Sequence, residues 1–148
     1  MAWGDNRYGQ LGDGTTVNKY TPVRVIGLSD VTAIGCGNRH TLALKSDGSV
    51  WAWGDNRTGQ LGDPTGGTYK NSSTPVQVIL TDIIAIAGGG YHSVALDTYG
   101  SVWTWGDNTY GQLGDGTTKQ RSLPVQVGIN LDVPKTSTPT PTATKTPT

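Results

Sequence analysis

The chain carries one eleven-residue sequence three times: WGDNRYGQLGD at residues 3–13, WGDNRTGQLGD at residues 53–63 and WGDNTYGQLGD at residues 105–115. Nine positions are identical in all three copies, and only the fifth and sixth vary. The copies start 50 and 52 residues apart, a period typical of repeat architectures. Turn-rich units of about 40–50 residues predict propeller blades of four strands each.

The residues around each copy predict the same order of strands. In the second repeat the predicted strands are residues 31–34, 40–44, 49–53 and 74–78, and in the third they are residues 83–86, 92–96, 101–105 and 124–127. Trp51 and Trp53 alternate with Val50 and Ala52, so both faces of this strand are apolar. A blade packed between two neighbours has this pattern. The sequence therefore predicts an all-β fold, a partial β-propeller of four-stranded antiparallel blades.

The repeat units also predict the organisation of the chain. We expect a partial repeat at residues 1–28, full repeats at residues 29–80 and 81–130, and a Thr/Pro-rich disordered linker at residues 131–148. Met1 stands where the aligned repeats have Trp51 and Trp103, which predicts a fragment of a larger repeat protein. The linker favours an extracellular or cell-surface location, with a cytoplasmic one as the alternative.

Composition supports the fold class and argues against two classes of partner. The chain has 22 glycines and no phenylalanine, and all eleven of its acidic residues are Asp. Asp favours turns over helix interiors. Without Lys135 and Lys145 of the linker, nine basic residues face eleven acidic ones, a balance that argues against nucleic acid as a partner. No apolar run of 18 residues occurs, so membrane insertion is not expected.

The residues that could carry chemistry all have simpler structural interpretations. His40 and His92 occupy equivalent places in successive repeats, which predicts a repeated structural role with the ring hydrogen-bonded to backbone. The Asp-Asn pair of each motif predicts a turn, because these side chains bond their own backbone. Cys36 is expected to fill a tight backbone position. We therefore predict no catalytic residue, no metal site and no cofactor.

The repeated residues resemble a known family. The pattern Trp-Gly-x-Asn-x-x-Gly-Gln-Leu-Gly, preceded by His-Thr-Leu-Ala-Leu at residues 40–44, is similar to the repeat of the regulator of chromosome condensation family over residues 1 to about 130. The resemblance implies a seven-bladed propeller, of which this chain would supply about two and a half blades. It also implies binding roles, such as chromatin and small-GTPase engagement by the eukaryotic founder and β-lactamase inhibition by a bacterial relative.

The positions that vary within the repeat are the predicted binding residues. Tyr and Arg are residues that protein interfaces favour, and the variable positions before each histidine and inside each motif are Arg7, Tyr8, Arg39, Arg57, Thr58, Tyr91, Thr109 and Tyr110. The leading hypothesis is a non-enzymatic protein-binding or scaffolding module. One alternative is a guanine-nucleotide exchange factor-like regulator of a small GTPase. Another is a partial propeller that completes its ring with blades from the parent chain or from other copies.

Overall fold

The computed structural model describes residues 1–65 and 69–130, and within them the chain is all-β. Its ten strands are β1 (Ala2–Gly4), β2 (Lys19–Val23), β3 (Val31–Cys36), β4 (His40–Lys45), β5 (Val50–Gly54), β6 (Ser72–Gln77), β7 (Ile83–Gly88), β8 (His92–Asp97), β9 (Ser101–Gly106) and β10 (Arg121–Asn130). The eight strands predicted from the second and third repeats are all present. The predicted linker lies outside the described residues.

The strands form three antiparallel sheets that follow the repeats. The sheet orders are β1-β2, β3-β4-β5-β6 and β7-β8-β9-β10. In the second blade, Leu42 of β4 lies opposite Ala52 of β5. The turn predicted between these strands is present, with Gly48 at φ 79° and its N–H donating to the carbonyl of Lys45 at 3.0 Å. The partial propeller of four-stranded blades is thus confirmed.

The hydrophobic core lies between the second and third blades. Strand β7 packs on β3 and β4, and the core cluster combines Val50, Ala52 and Leu61 with Trp105 of the third blade. Trp53 is buried as well, so both faces of β5 are covered as the alternation predicts. Large apolar side chains contribute about 1.5–3 kcal/mol each when fully buried, and this junction therefore stabilises the pair of blades.

The first blade has only the strands β1 and β2, and a groove of about 810 Å³ lies between it and the second blade. Ile34 lines the groove and is 70% exposed, whereas its repeat equivalent Ile86 packs on the core cluster. Cys36 is also exposed. The prediction of a tight position for Cys36 is wrong, because the close approach occurs at Gly88, where an added Cβ would lie 2.6 Å from the Cys36 carbonyl carbon.

The described residues contain no helix that is both long and apolar enough to cross a membrane.

Candidate functional site

The variable residues lie in loops at one end of the sheets. Antiparallel pairing places the ends of β3 and β5 at the same end of their sheet, and side-chain contacts bring the loops after β1 and β7 to the same place. Tyr8 follows β1, Arg39 joins β3 to β4, Arg57 follows β5, and Tyr91 joins β7 to β8. Three blades therefore contribute side chains to a single loop surface.

The Asp-Asn pairs build the frame of these loops. Oδ1 of Asp5, Asp55 and Asp107 accepts the backbone N–H two residues later, at 3.2, 3.1 and 3.0 Å. Asn108 is fully buried, and its Oδ1 accepts the N–H of Leu113 at 3.0 Å. The Asn108 Nδ2 lies within 3.1 Å of an Asp115 carboxylate oxygen and of two backbone carbonyls. The turn-making role predicted for these pairs is confirmed.

A backbone carbonyl at each blade junction receives two side chains of the next blade. The Gln60 carbonyl accepts from Ser93 Oγ at 2.8 Å and from Trp105 Nε1 at 2.9 Å. At the junction between the first and second blades, the carbonyl of Gln10 accepts from Thr41 Oγ1 and from Trp53 Nε1, both at 2.8 Å. These bonds join neighbouring blades and account for the fixed Trp of the motif. The fixed Gln acts through its side chain, because the Oε1 atoms of Gln10, Gln60 and Gln112 each accept the backbone N–H two residues earlier at 2.9 Å.

His40 takes part in the junction between the second and third blades. Its Nε2 lies 3.0 Å from Ser93 Oγ, and both side chains are buried. Because the Ser93 hydroxyl donates to the Gln60 carbonyl, it accepts from His40. The predicted structural role of His40 is thus supported, although a serine stands between its ring and the backbone. The pair is not a nucleophile–base arrangement, since the hydroxyl proton is directed at a carbonyl.

Two arginines of the loop surface are paired with aspartates of the motif. Arg57 lies 2.8 Å from the buried carboxylate of Asp55, and Arg7 lies 3.0 Å from Asp5. Burial raises the pKa of Asp55, but the hydrogen bonds from Arg57 and the charges of Arg57 and Arg39 hold the pKa below its ordinary value. Asp55 is therefore a carboxylate at neutral pH.

Four of the predicted residues come together as a tyrosine–arginine cluster, comprising Tyr8, Arg39, Arg57 and Tyr91. The Arg39 guanidinium carbon lies 4.7 Å from the centre of the Tyr8 ring and 5.9 Å from that of Tyr91. The Arg57 guanidinium carbon lies 5.1 Å from the centre of Tyr8. Cations at these distances are attracted to the ring face. The cluster connects the first, second and third blades.

The other four predicted residues have different surroundings. Thr58 borders the cluster, where its Oγ1 lies 3.0 Å from the Tyr91 carbonyl oxygen and 2.6 Å from Gln60 Oε1. Arg7 is bound to Asp5, and Thr109 to Asp107 at 2.6 Å. Tyr110 is the repeat equivalent of Tyr8 but is 90% exposed, because the described residues place no following loop against it.

Asp55, Gln60 and Ser93 support this surface but were not among the predicted site residues. The signals that could have found them are the fixed Asp and Gln of the motif, and the hydroxyl residue directly after each histidine. Across residues 1–65 and 69–130, no group of three or more His, Cys, Asp or Glu side chains could hold a metal ion. The chemistry that the arrangement offers is recognition by cationic and aromatic groups.

The sequence model of the "Regulator of chromosome condensation (RCC1) repeat" matches residues 2–44, 47–96 and 99–138. A second model of the same repeat matches residues 31–60 and 83–112. The chain belongs to this family. The third RCC1 match reaches residue 138, beyond the repeat boundary predicted at residue 130.

Curated relatives carry RCC1-type sequence within much longer proteins. The chain is 35% identical over 125 residues to the human E3 ubiquitin-protein ligase HERC2, covering 83% of this chain and 3% of that protein. It is 34% identical over 130 residues to the Ultraviolet-B receptor UVR8 of Arabidopsis thaliana, covering 84% of this chain and 29% of that receptor. The chain thus spans less than a third of either relative.

Solved structures show the same fold. Human WBSCR16 superposes with a TM-score of 0.71 at 26% identity, covering 86% of this chain and 35% of that one. Prp20p of Saccharomyces cerevisiae, described with its binding to Gsp1p and histones, gives a TM-score of 0.71 at 24% identity, covering 84% and 33%. Coverage of about a third agrees with the two and a half of seven blades that the resemblance implies.

Proposed function

We propose that this RCC1-type chain is a non-enzymatic protein-binding module whose partner docks on the tyrosine–arginine cluster. The observation that carries the proposal is the convergence of Tyr8, Arg39, Arg57 and Tyr91 from three blades on one loop surface. Tyr and Arg are enriched among the residues that dominate interface energies. Family membership supports the same class of function, because relatives such as Prp20p are described by what they bind.

The test compares capture of partner proteins by three forms of the chain. The double variant Tyr8→Ala/Tyr91→Ala removes both rings, whereas Tyr99→Ala removes a 78% exposed ring from the β8–β9 turn at the opposite end of the sheets. We expect the proteins captured by the wild-type chain to be retained by Tyr99→Ala and lost by the double variant. Equal capture by all three folded forms would overturn the proposal.

A second candidate function is completion of the first blade by strands from elsewhere. Strand β5 pairs with both β4 and β6, but its counterpart β1 pairs only with β2. An unpaired strand edge is a template for another strand, and the exposed Ile34 beside it would be covered. The added strands would come from another repeat of the parent chain or from a second copy.

Assembly from copies can be tested by size-exclusion chromatography with light scattering. We expect the wild-type chain to form dimers or larger species, and the variant Ile34→Asp to be shifted towards the monomer. A folded wild-type monomer at the highest soluble concentration would contradict assembly from copies.

The exchange-factor alternative rests on family membership alone. It predicts that the chain accelerates the release of a fluorescent nucleotide from a small GTPase, and an unchanged release rate would reject it. The extracellular or cell-surface location rests on the composition of residues 131–148. Protease treatment of intact cells, with detection of the module, tests that location.

A further inference from the structure

We propose that the tyrosine–arginine cluster binds a carboxylate of an acidic protein segment, with Arg39 as the residue that binds the carboxylate. This inference rests on the proposed protein-binding function and specifies the chemistry of the partner. Arg39 differs in its contacts from Arg7 and Arg57, the other two arginines on the loop surface.

The backbone of Arg39 is held in place from several directions. Its carbonyl accepts the N–H of Asp55 at 2.8 Å. The next residue is His40, which is 1% exposed and bonded to Ser93 of the following blade. A side chain that projects from a fixed backbone loses less conformational entropy on binding. The backbone from which the Arg39 side chain projects is therefore preorganised.

The guanidinium of Arg39 has aromatic neighbours but, within the described residues, no hydrogen-bonded partner. Its contacts are the rings of Tyr8 and Tyr91, and a ring face uses none of the five N–H donors of an arginine. Arg7 and Arg57 differ, because each donates to an aspartate within 3.0 Å. Arg39 thus retains its full donor set for a ligand.

The local charge balance specifies how much negative charge a ligand should bring. Asp55 lies in an ion pair with Arg57 and also feels the charge of Arg39, so these three groups sum to one positive charge. One carboxylate neutralises it. A phosphate would bring about −1.5 to −2, which is more than this one positive charge.

The geometry of the groups also suits a carboxylate. The planar donor fork of arginine matches the two oxygens of a carboxylate. The rings of Tyr8 and Tyr91 displace water beside the cation, and a lower effective dielectric strengthens an ion pair. An Asp or Glu side chain in an exposed segment of a partner protein supplies such a group.

The probe is a blocked hexapeptide with a single Glu among alanines, titrated into the full isotope-labelled chain and followed by NMR. We expect shifts of the Arg39 Nε–Hε resonance and of the Tyr8 and Tyr91 rings, with binding weakened by added salt. Arg39→Gln should weaken binding at least tenfold, and Arg39→Lys should retain part of it. Arg24→Gln is the charge-matched control, because Arg24 is exposed and follows β2 at the other end of the sheet.

Two further peptides test whether binding requires a negative charge and whether a carboxylate is preferred to a phosphate. The Gln–Ala peptide should not bind, and a phosphoserine–Ala peptide should bind more weakly than the Glu–Ala peptide. Equal binding of Gln and Glu peptides, tighter binding of the phosphopeptide, equal loss in Arg24→Gln, or no binding of the Glu peptide would each overturn the inference. If the Glu peptide fails while partner capture still requires Tyr8 and Tyr91, the carboxylate inference falls and the proposed function stands. The NMR spectrum of each variant reports directly whether it is folded.

Discussion

The buried ring of His40 makes the stability of the chain sensitive to acid. Its Nε2 is bonded to Ser93, and its Nδ1 has no hydrogen-bond partner within the described residues. Burial lowers the pKa of His40 from 6.5 to about 4; the nearby charge of Asp55 opposes the shift, and His92 adds to it. A proton on Nδ1 would create a buried charge with no acceptor, so the folded chain resists protonation.

The sign and size of the effect follow from linkage. In the unfolded chain the imidazole takes a proton as the pH falls through about 6.5, while the folded chain takes it only near pH 4. Stability from this group is therefore complete above the unfolded pKa and is lost as the pH falls towards 4. The full loss is about 3 kcal/mol, at about 1.4 kcal/mol for each unit of pKa difference. About 2 kcal/mol of it falls between pH 7 and pH 4.5.

The assay is urea unfolding followed by tryptophan fluorescence at pH 7, 6, 5 and 4.5. The variant His40→Gln keeps an N–H donor of similar reach to Ser93 but does not titrate. Every other titrating group is shared, so the difference between the two proteins isolates His40. We expect the wild-type free energy of unfolding to fall by about 2 kcal/mol more than that of the variant. Parallel pH profiles for the two proteins would refute the reasoning.

Three further predictions concern the repeat motif and the cluster. Gly62→Ala should destabilise the chain by more than Gly116→Ala in urea unfolding. Both glycines have positive φ, but only at Gly62 would the new Cβ lie 2.9 Å from Trp105 Nε1. Equal losses of stability in the two variants would contradict a steric role for the motif glycine. Trp105→Phe should cost about 2 kcal/mol by the same assay, from a lost hydrogen bond and a cavity, and a loss below about 0.5 kcal/mol would count against the junction bond. A double-mutant cycle of Tyr8→Ala and Arg39→Ala should give a coupling energy of about 0.5–1 kcal/mol, and additive effects would mean that the ring contact is not energetically significant.

Much of the fold is readable from the sequence because its signals are local. The alternation around Trp53 and the turn at Gly48 each act within a few residues, and each predicted the observed strand or turn. The repeat period extends these local predictions from one blade to the next. The contacts of the cluster are not local: Tyr8 and Arg39 are far apart in sequence and meet only because neighbouring blades bring their loops together. Cys36 shows the same limit, since its exposure depends on what faces β3 across the groove.

The distribution of fixed and variable residues has a physical explanation in the blade junctions. The fixed residues of the motif form contacts that each blade needs, such as the bond from Trp105 to the Gln60 carbonyl. The second variable position of one motif instead meets the residue before the histidine of the next blade, as Tyr8 meets Arg39. At the following junction, the Thr58 hydroxyl lies 3.0 Å from the backbone carbonyl of Tyr91, a contact that does not depend on the side chain at position 91. The loop surface can therefore change its recognition chemistry while the bonds between the blades stay the same.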